Sequence, residues 1–196
     1  MKKEVLVITS SNNKQGNSNF LTSLFVSKAN LDLYKFSFVN LYDLNIEYLS
    51  QKNREANIEK DPASKDVREL ITQIENHQKI ILSFPIWNAG IPGMLKNFLD
   101  RAGVSGRVWS EEKKQKIPGW GEKKFFLLIT MGSNWPLSLL SRLAVLQVYL
   151  VLKYYGARIK VVQKVRNCGS GSKLVISSRE KLINKMHKKS KKYFAK

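Results

Sequence analysis

The chain has 196 residues, 43% of them hydrophobic, enough to bury one substantial core but too few for two, so a single domain over 1–196 is expected. One cysteine, Cys168, and two histidines, His77 and His187, exclude an intrachain disulfide and a Cys/His zinc cage and fit a reducing, cytoplasmic compartment. The 34 basic and 15 acidic side chains give a formal charge of +19, a field that attracts anionic ligands, acidic partners or nucleic acid.

The first apolar run, Val5 to Ile8, is too short for a signal-peptide core or a membrane span and reads as a strand, Glu4 to Thr9. It feeds a loop of hydroxyls and amides, Thr9 to Asn19, and then a helix over Asn17 to Ala29. Backbone N–H groups at a helix start, with Ser and Asn donors around them, suit an anionic monophosphate. A plain polar turn with Asn17 or Ser18 as N-cap is the alternative. The loop has neither the glycine spacing of a dinucleotide fold nor the Gly-Lys-Ser/Thr ending of a triphosphate loop.

A second strand, Leu33 to Asn40, leads into the turn Leu41-Tyr42-Asp43-Leu44, and the charged stretch Gln51 to Asp66 reads as a surface excursion. Ser64 opens a helix to Asn76 with Val67, Leu70, Ile71 and Ile74 on one face. The third strand, Lys79 to Phe84, runs into a loop carrying Pro85, Ile86, Trp87, Asn88, Ala89 and Gly90. There an aromatic ring, an amide and glycines allow a ligand ring to stack against the chain. Pro92 suits the first turn of a helix to Arg101.

After the surface stretch Ser110 to Lys124 comes a fourth strand, Lys124 to Thr130. The apolar run Leu137 to Leu152, broken by Ser138, Ser141, Arg142 and Gln147, belongs to a helix from Leu137 to Tyr155 capped by Gly156. Its leucines, Leu139, Leu140, Leu143, Leu146 and Leu150, suit a homodimer seam as well as core contact. A fifth strand, Ala157 to Gln163, precedes Cys168, which reads as a free thiol because neither histidine lies near it in sequence. The last helix, Ser177 to Tyr193, is basic: Arg179 and seven lysines face one acid, Glu180, from residue 179 onward. A solvated face is the plainer reading of that charge, so a nucleic-acid partner is not expected. Strands alternating with helices define a parallel α/β sheet, whose ligands gather at the carboxyl ends of its strands.

The string from Pro85 to Asp100, Pro-Ile-Trp-Asn-Ala-Gly-Ile-Pro-Gly-Met-Leu-Lys-Asn-Phe-Leu-Asp, resembles the flavin-loop signature of the NADPH-dependent FMN reductases. It is also similar to that of the related azoreductases and quinone reductases. The Ser/Asn loop, the Leu41–Leu44 turn and Thr130-Met131-Gly132-Ser133 extend the resemblance over most of the chain. Three features depart from it: Trp87 stands where tyrosine is common, the first loop offers Lys14 in place of an arginine, and Gly132-Ser133 stands where Gly-Gly is typical.

The resemblance implies a flavodoxin-like three-layer sandwich with a five-stranded parallel sheet in order 2-1-3-4-5. It implies FMN as cofactor and NADPH or NADH as co-substrate, with ping-pong reduction of a quinone, free flavin or azo compound by a homodimer or tetramer. Carried over, Ser10, Ser11, Asn17, Ser18 and Asn19 hold the FMN phosphate. Pro85, Ile86, Trp87, Asn88 and Ala89 line the ribityl chain and ring edge, and Thr130, Met131, Gly132 and Ser133 offer backbone N–H groups to the ring. No protein side chain is expected to be catalytic. Trp109, Trp120 and Trp135 are candidates for the acceptor wall or for packing, and Lys14, Arg101 and Arg107 are candidates for a nucleotide 2′-phosphate. The rival classes are an electron-transfer flavodoxin and a basic binding module without flavin.

Overall fold

Val5, Val7, Leu6 and Ile8 alternate in direction along the first strand, yet all four are buried, as happens when a strand has a helical layer on each side. The computed structural model describes residues 2–27, 29–50, 65–104, 109–110, 115–116, 120–132, 139, 141–166 and 179–195. Its strands are β1 (Lys3–Thr9), β2 (Tyr34–Asn40), β3 (Lys79–Ile86), β4 (Lys124–Met131) and β5 (Arg158–Val165). They form one parallel sheet in the order β2-β1-β3-β4-β5, as expected.

The helices are α1 (Asn17–Val26), α2 (Lys65–Asn76), α3 (Gly93–Gly103), α4 (Ser141–Tyr154) and α5 (Arg179–Phe194). Leu21 and Phe25 of α1 join Met186 and Tyr193 of α5 against Val5, Val7, Ile81, Phe126 and Leu128 of the sheet. The other face packs Leu6, Ile8, Leu82 and Leu127 against Leu70 of α2, Phe98 of α3 and Val148 of α4. Right-handed crossovers require such a split of helices between the two faces.

Several boundaries differ from the sequence reading. Helix α1 stops at Val26, three residues before Ala29, and its N-cap is Gly16 rather than Asn17 or Ser18. A β-carbon on Gly16 would sit 3.0 Å from the carbonyl oxygen of Asn13, so the loop closes tightly there. Gly156 caps α4 as anticipated: its φ is +90°, its N–H donates to Lys153 and the Ala157 N–H to Leu152, the paired bonds of a Schellman motif. The excursion after α3 contains a short antiparallel ribbon, Trp109–Ser110 with Gln115–Lys116, that periodicity did not indicate. Ser64, most of the Gln51–Asp66 stretch, Leu137, Leu140 and Cys168 lie outside the described residues.

Candidate functional site

The order of the sheet reverses between β1 and β3, and there the two strands part. Pairing ends at Thr9 with Ser83, and one further bond follows, the Ser10 N–H to the Ser83 carbonyl at 2.9 Å. Beyond it β1 turns away into the polar loop while β3 continues to Ile86. Pro85, two residues past Ser83, turns the same edge toward the vacated side, so its missing N–H costs no ladder bond.

The polar loop is organised around the Asn13 carbonyl, which accepts from the Gly16 N–H at 3.0 Å, the Asn19 amide at 2.8 Å and the Ser11 hydroxyl at 3.3 Å. Asn40, at the end of β2, donates its side-chain amide to the Ser11 carbonyl at 3.0 Å. Lys14 pairs with Asp43 at 3.2 Å, with both side chains well exposed. The loop is thereby tied to the Leu41–Asp43 turn on one side and to α1 on the other. Helix geometry leaves the N–H groups of the first turn of α1, at Asn17, Ser18 and Asn19, without intrahelical acceptors. Ser10 is fully buried and its hydroxyl has no hydrogen-bond partner among the described residues.

Ser18 behaves differently from the expectation placed on it. Its side chain is 3% exposed and its hydroxyl meets that of Thr130, at the end of β4, at 2.7 Å. Its carbonyl accepts the hydroxyls of Thr22, at 2.8 Å, and Ser83, at 3.4 Å. The Ser18 hydroxyl is therefore engaged with the end of β4.

After β3 the chain makes a two-residue reversal. Trp87 and Gly90 exchange backbone hydrogen bonds of 3.1 and 2.8 Å around Asn88 and Ala89, which have φ of +48° and +61°. Two consecutive left-handed residues are the mark of a type I′ turn. The strain thus falls on Asn88 and Ala89 and not on the glycines; Gly90 and Gly93 have room for a β-carbon. Left-handed alanine costs about 1 kcal/mol and collects at functional loops. Trp87 is 41% exposed, whereas Pro85 and Ile86 are buried.

Thr130 and Met131 end β4 with buried side chains, the Gly132 backbone is exposed, and Ser133 lies outside the described residues. The structure brings the loops after β1, β3 and β4 to the same end of the sheet, joined by the Ser18–Thr130 bond.

Other candidates fare unevenly. Trp120 is fully buried, packed on Phe125 and Tyr155, and so is core and not an acceptor wall. Arg101 is 1% exposed, which removes it as a surface clamp for a 2′-phosphate. Arg107, Trp135 and the Trp109 side chain lie outside the described residues.

Two residues were not singled out from sequence. Asn97 is 4% exposed; its amide donates to the carbonyls of Ile46 and Glu47 and its oxygen accepts the Leu49 N–H, clamping residues 46–49 beside α3. An asparagine among Leu95, Phe98 and Leu99 of one helix is the signal that pointed to it, because a buried amide must be bonded. Asn40 carried a similar signal at the end of a strand. Tyr42, in the turn after β2, is held above the ordinary phenol pKa by burial and by Tyr48.

A parallel sheet with helices on both faces and polar loops at its switch point places the chain among the doubly wound α/β proteins, a class whose ligands gather at the carboxyl ends of the strands. The model of the flavodoxin-like fold family matches residues 3–158, and the chain belongs to that family.

Among curated relatives, an FMN-dependent NADH:quinone oxidoreductase of Pseudoalteromonas atlantica is 32% identical over 118 residues, covering 55% of this chain and 58% of its own. A second protein of that description from Mesoplasma florum is 36% identical over 114 residues, 55% of each chain. The match thus spans little more than half the length of these relatives. An azoreductase from Bacillus anthracis superposes with a TM-score of 0.73 at 20% identity over 98% of both chains. An NAD(P)H:quinone oxidoreductase from Methanothermobacter marburgensis gives 0.74 at 17% identity over 97% of this chain and 98% of its own. At those identities the superpositions speak for the fold.

Proposed function

We propose that the protein is an FMN-dependent NAD(P)H oxidoreductase that reduces a small acceptor such as a quinone, an azo compound or a free flavin. The observation that carries the reading is the convergence of two unlike loops at the β1/β3 switch point. One presents helix-start N–H groups and a buried hydroxyl, Ser10, with no partner among the described residues; the other presents a half-exposed Trp87 on a strained turn. The curated relatives, named as FMN-dependent NADH:quinone oxidoreductases, support it.

The residues fit the cofactor's two chemical ends. The first-turn N–H groups of Asn17, Ser18 and Asn19 and the Ser10 hydroxyl suit the phosphate, with Ser11 folding the loop behind them. Trp87, Asn88 and Ala89 suit the ribityl chain and ring edge, and the backbone from Thr130 to Ser133 suits the polar edge of the ring. FMN supplies a carrier that takes hydride from nicotinamide and hands reducing equivalents to the acceptor. The protein's part is placement: it fixes the phosphate, holds an aromatic wall and offers backbone donors where negative charge gathers.

The exposed apolar ridge of α4 belongs to the same reading. Leu143, Leu146, Leu150 and Tyr154 recur at helical spacing and are 70, 47, 55 and 44% exposed, while Ala144, Val145, Val148 and Leu152 face the core. A second copy covering that ridge makes the protein a homodimer. No described helix is long and apolar enough to cross a membrane.

Steady-state assays with FMN-loaded protein test the activity. Oxidation of NADH or NADPH that depends on a soluble quinone or azo dye, with parallel-line double-reciprocal plots, is expected. Flavin-loaded protein that oxidises neither nucleotide contradicts it and favours an electron carrier.

A further inference from the structure

From the bond between Ser18 and Thr130 we infer that these two hydroxyls are positioning residues for the phosphate end of the site, and that they set the protein's preference for FMN over phosphate-free riboflavin. The inference rests on the flavin reading above.

Ser18 lies in the first turn of α1, in the segment that would receive the phosphate, and Thr130 lies at the end of β4, where the loop for the ring begins. They are 112 residues apart in sequence and 2.7 Å apart in space, each 3% exposed. Ser83 of β3 adds a weaker contact, 3.4 Å from its hydroxyl to the Ser18 carbonyl.

The geometry explains why a buried hydroxyl pair is used where two apolar groups could pack. A helix start binds an anion only if its N–H groups stay aimed at one point, and the first turn is the part of a helix that frays most easily. Apolar contacts are non-directional, whereas one hydrogen bond from N2 of the helix to an interior strand fixes both the rotation of α1 and its height above the sheet. The same bond makes the two loops one mechanical unit. Its partner strand is paired on both sides and buried.

Chemistry separates this role from simple stabilisation. Removing one hydroxyl leaves its partner buried and unsatisfied, which costs stability; replacing both with apolar groups of similar shape is close to neutral. Stability and phosphate recognition should therefore part company in the double variant.

The test titrates flavin-free protein with FMN and with riboflavin, following quenching of flavin fluorescence, alongside urea unfolding without flavin. The variants are Thr130→Val, Ser18→Ala, the double variant, and Thr130→Ser, which keeps the hydroxyl. Expected is a loss of about tenfold or more in FMN affinity in both single variants with riboflavin affinity unchanged, and recovery in Thr130→Ser. The double variant should regain most of the unfolding stability but none of the FMN preference. A double variant that binds FMN as wild type overturns the inference, as does an equal loss for both flavins. Wild-type protein that binds neither flavin overturns the flavin reading itself, and the inference with it. Should Thr130→Val not fold, Ser18→Ala and the double variant decide the matter by the same criteria.

Discussion

The phenolic oxygen of Tyr155 sits 2.6 Å from the point where a β-carbon on Gly103 would lie, and it donates a 2.6 Å hydrogen bond to the Leu99 carbonyl. The end of α3 and the residue after α4 are thus locked together beneath the site, and the lock requires glycine at 103. Gly103→Ala must displace a buried, bonded hydroxyl and is expected to lower unfolding stability by about 1–3 kcal/mol. Gly93→Ala, with nothing within 4 Å of the added carbon, is the control and should be neutral or slightly stabilising. Urea midpoints at constant m-value read both.

Ala89 holds a φ of +61° that L-residues resist, so its strain can be relieved by glycine. Ala89→Gly should gain up to about 1 kcal/mol in unfolding stability, while Ala89→Val should lose more than that because a β-branched residue tolerates the left-handed region least. If the turn geometry matters for the flavin, Ala89→Val also weakens FMN binding, measured by fluorescence quenching. Equal stability in all three proteins would show that the turn relaxes freely.

The alternation of five strands with helices was legible in the sequence because each strand is a short apolar run flanked by turn chemistry and each crossover carries a helical face, while the sheet order followed from the family resemblance and is the order observed. The Ser/Asn loop and the Pro85–Asp100 string follow β1 and β3, the two strands between which the sheet order reverses. What could not be read was direction. Nothing in the spacing of Ser10 and Ser18 says that the first hydroxyl is buried with no partner among the described residues while the second bonds Thr130; that depends on the rotation of α1 against the sheet. Likewise Trp120 and Arg101 look like surface candidates by residue type, and only the tertiary packing of β4 and α3 buries them. The left-handed residues fell on Asn88 and Ala89 although glycines stand next to them, since the turn type is set by strand pairing and not by composition.

Burial raises the pKa of Tyr155, helped by Asp100 and Tyr154, and that of Tyr193, helped by Tyr34, well above the ordinary phenol value of 10.0. The unfolded chain then ionises these phenols first. Their contribution to stability is intact below about pH 10 and is lost as pH rises beyond it. Lys79 opposes part of this: burial, then Lys3 and Lys124, lower its pKa, so the cost of holding its charge is relieved as pH climbs toward 10.5. It sits against the rings of Tyr34 and Tyr193. Alkaline titration of tyrosinate absorbance should show Tyr155 and Tyr193 ionising only as the protein unfolds. Seven phenols titrating together with circular dichroism unchanged would contradict the burial of Tyr155 and Tyr193.

The ridge on α4 makes a prediction about assembly. Sedimentation of the wild-type protein should give a dimer, and Leu143→Glu with Leu150→Glu should give a folded monomer, because both positions are exposed in the single chain and cost nothing there. A wild-type monomer at micromolar concentration would leave the ridge without a second copy.

The most direct measurement is the absorbance spectrum of protein incubated with FMN, freed of excess, and then given NADH or NADPH without oxygen, followed by a soluble quinone. Stoichiometric flavin that bleaches with a nucleotide and recovers its colour with the quinone is the expected result. Protein that emerges with no flavin, or whose flavin stays oxidised in both nucleotides, would contradict the proposed oxidoreductase.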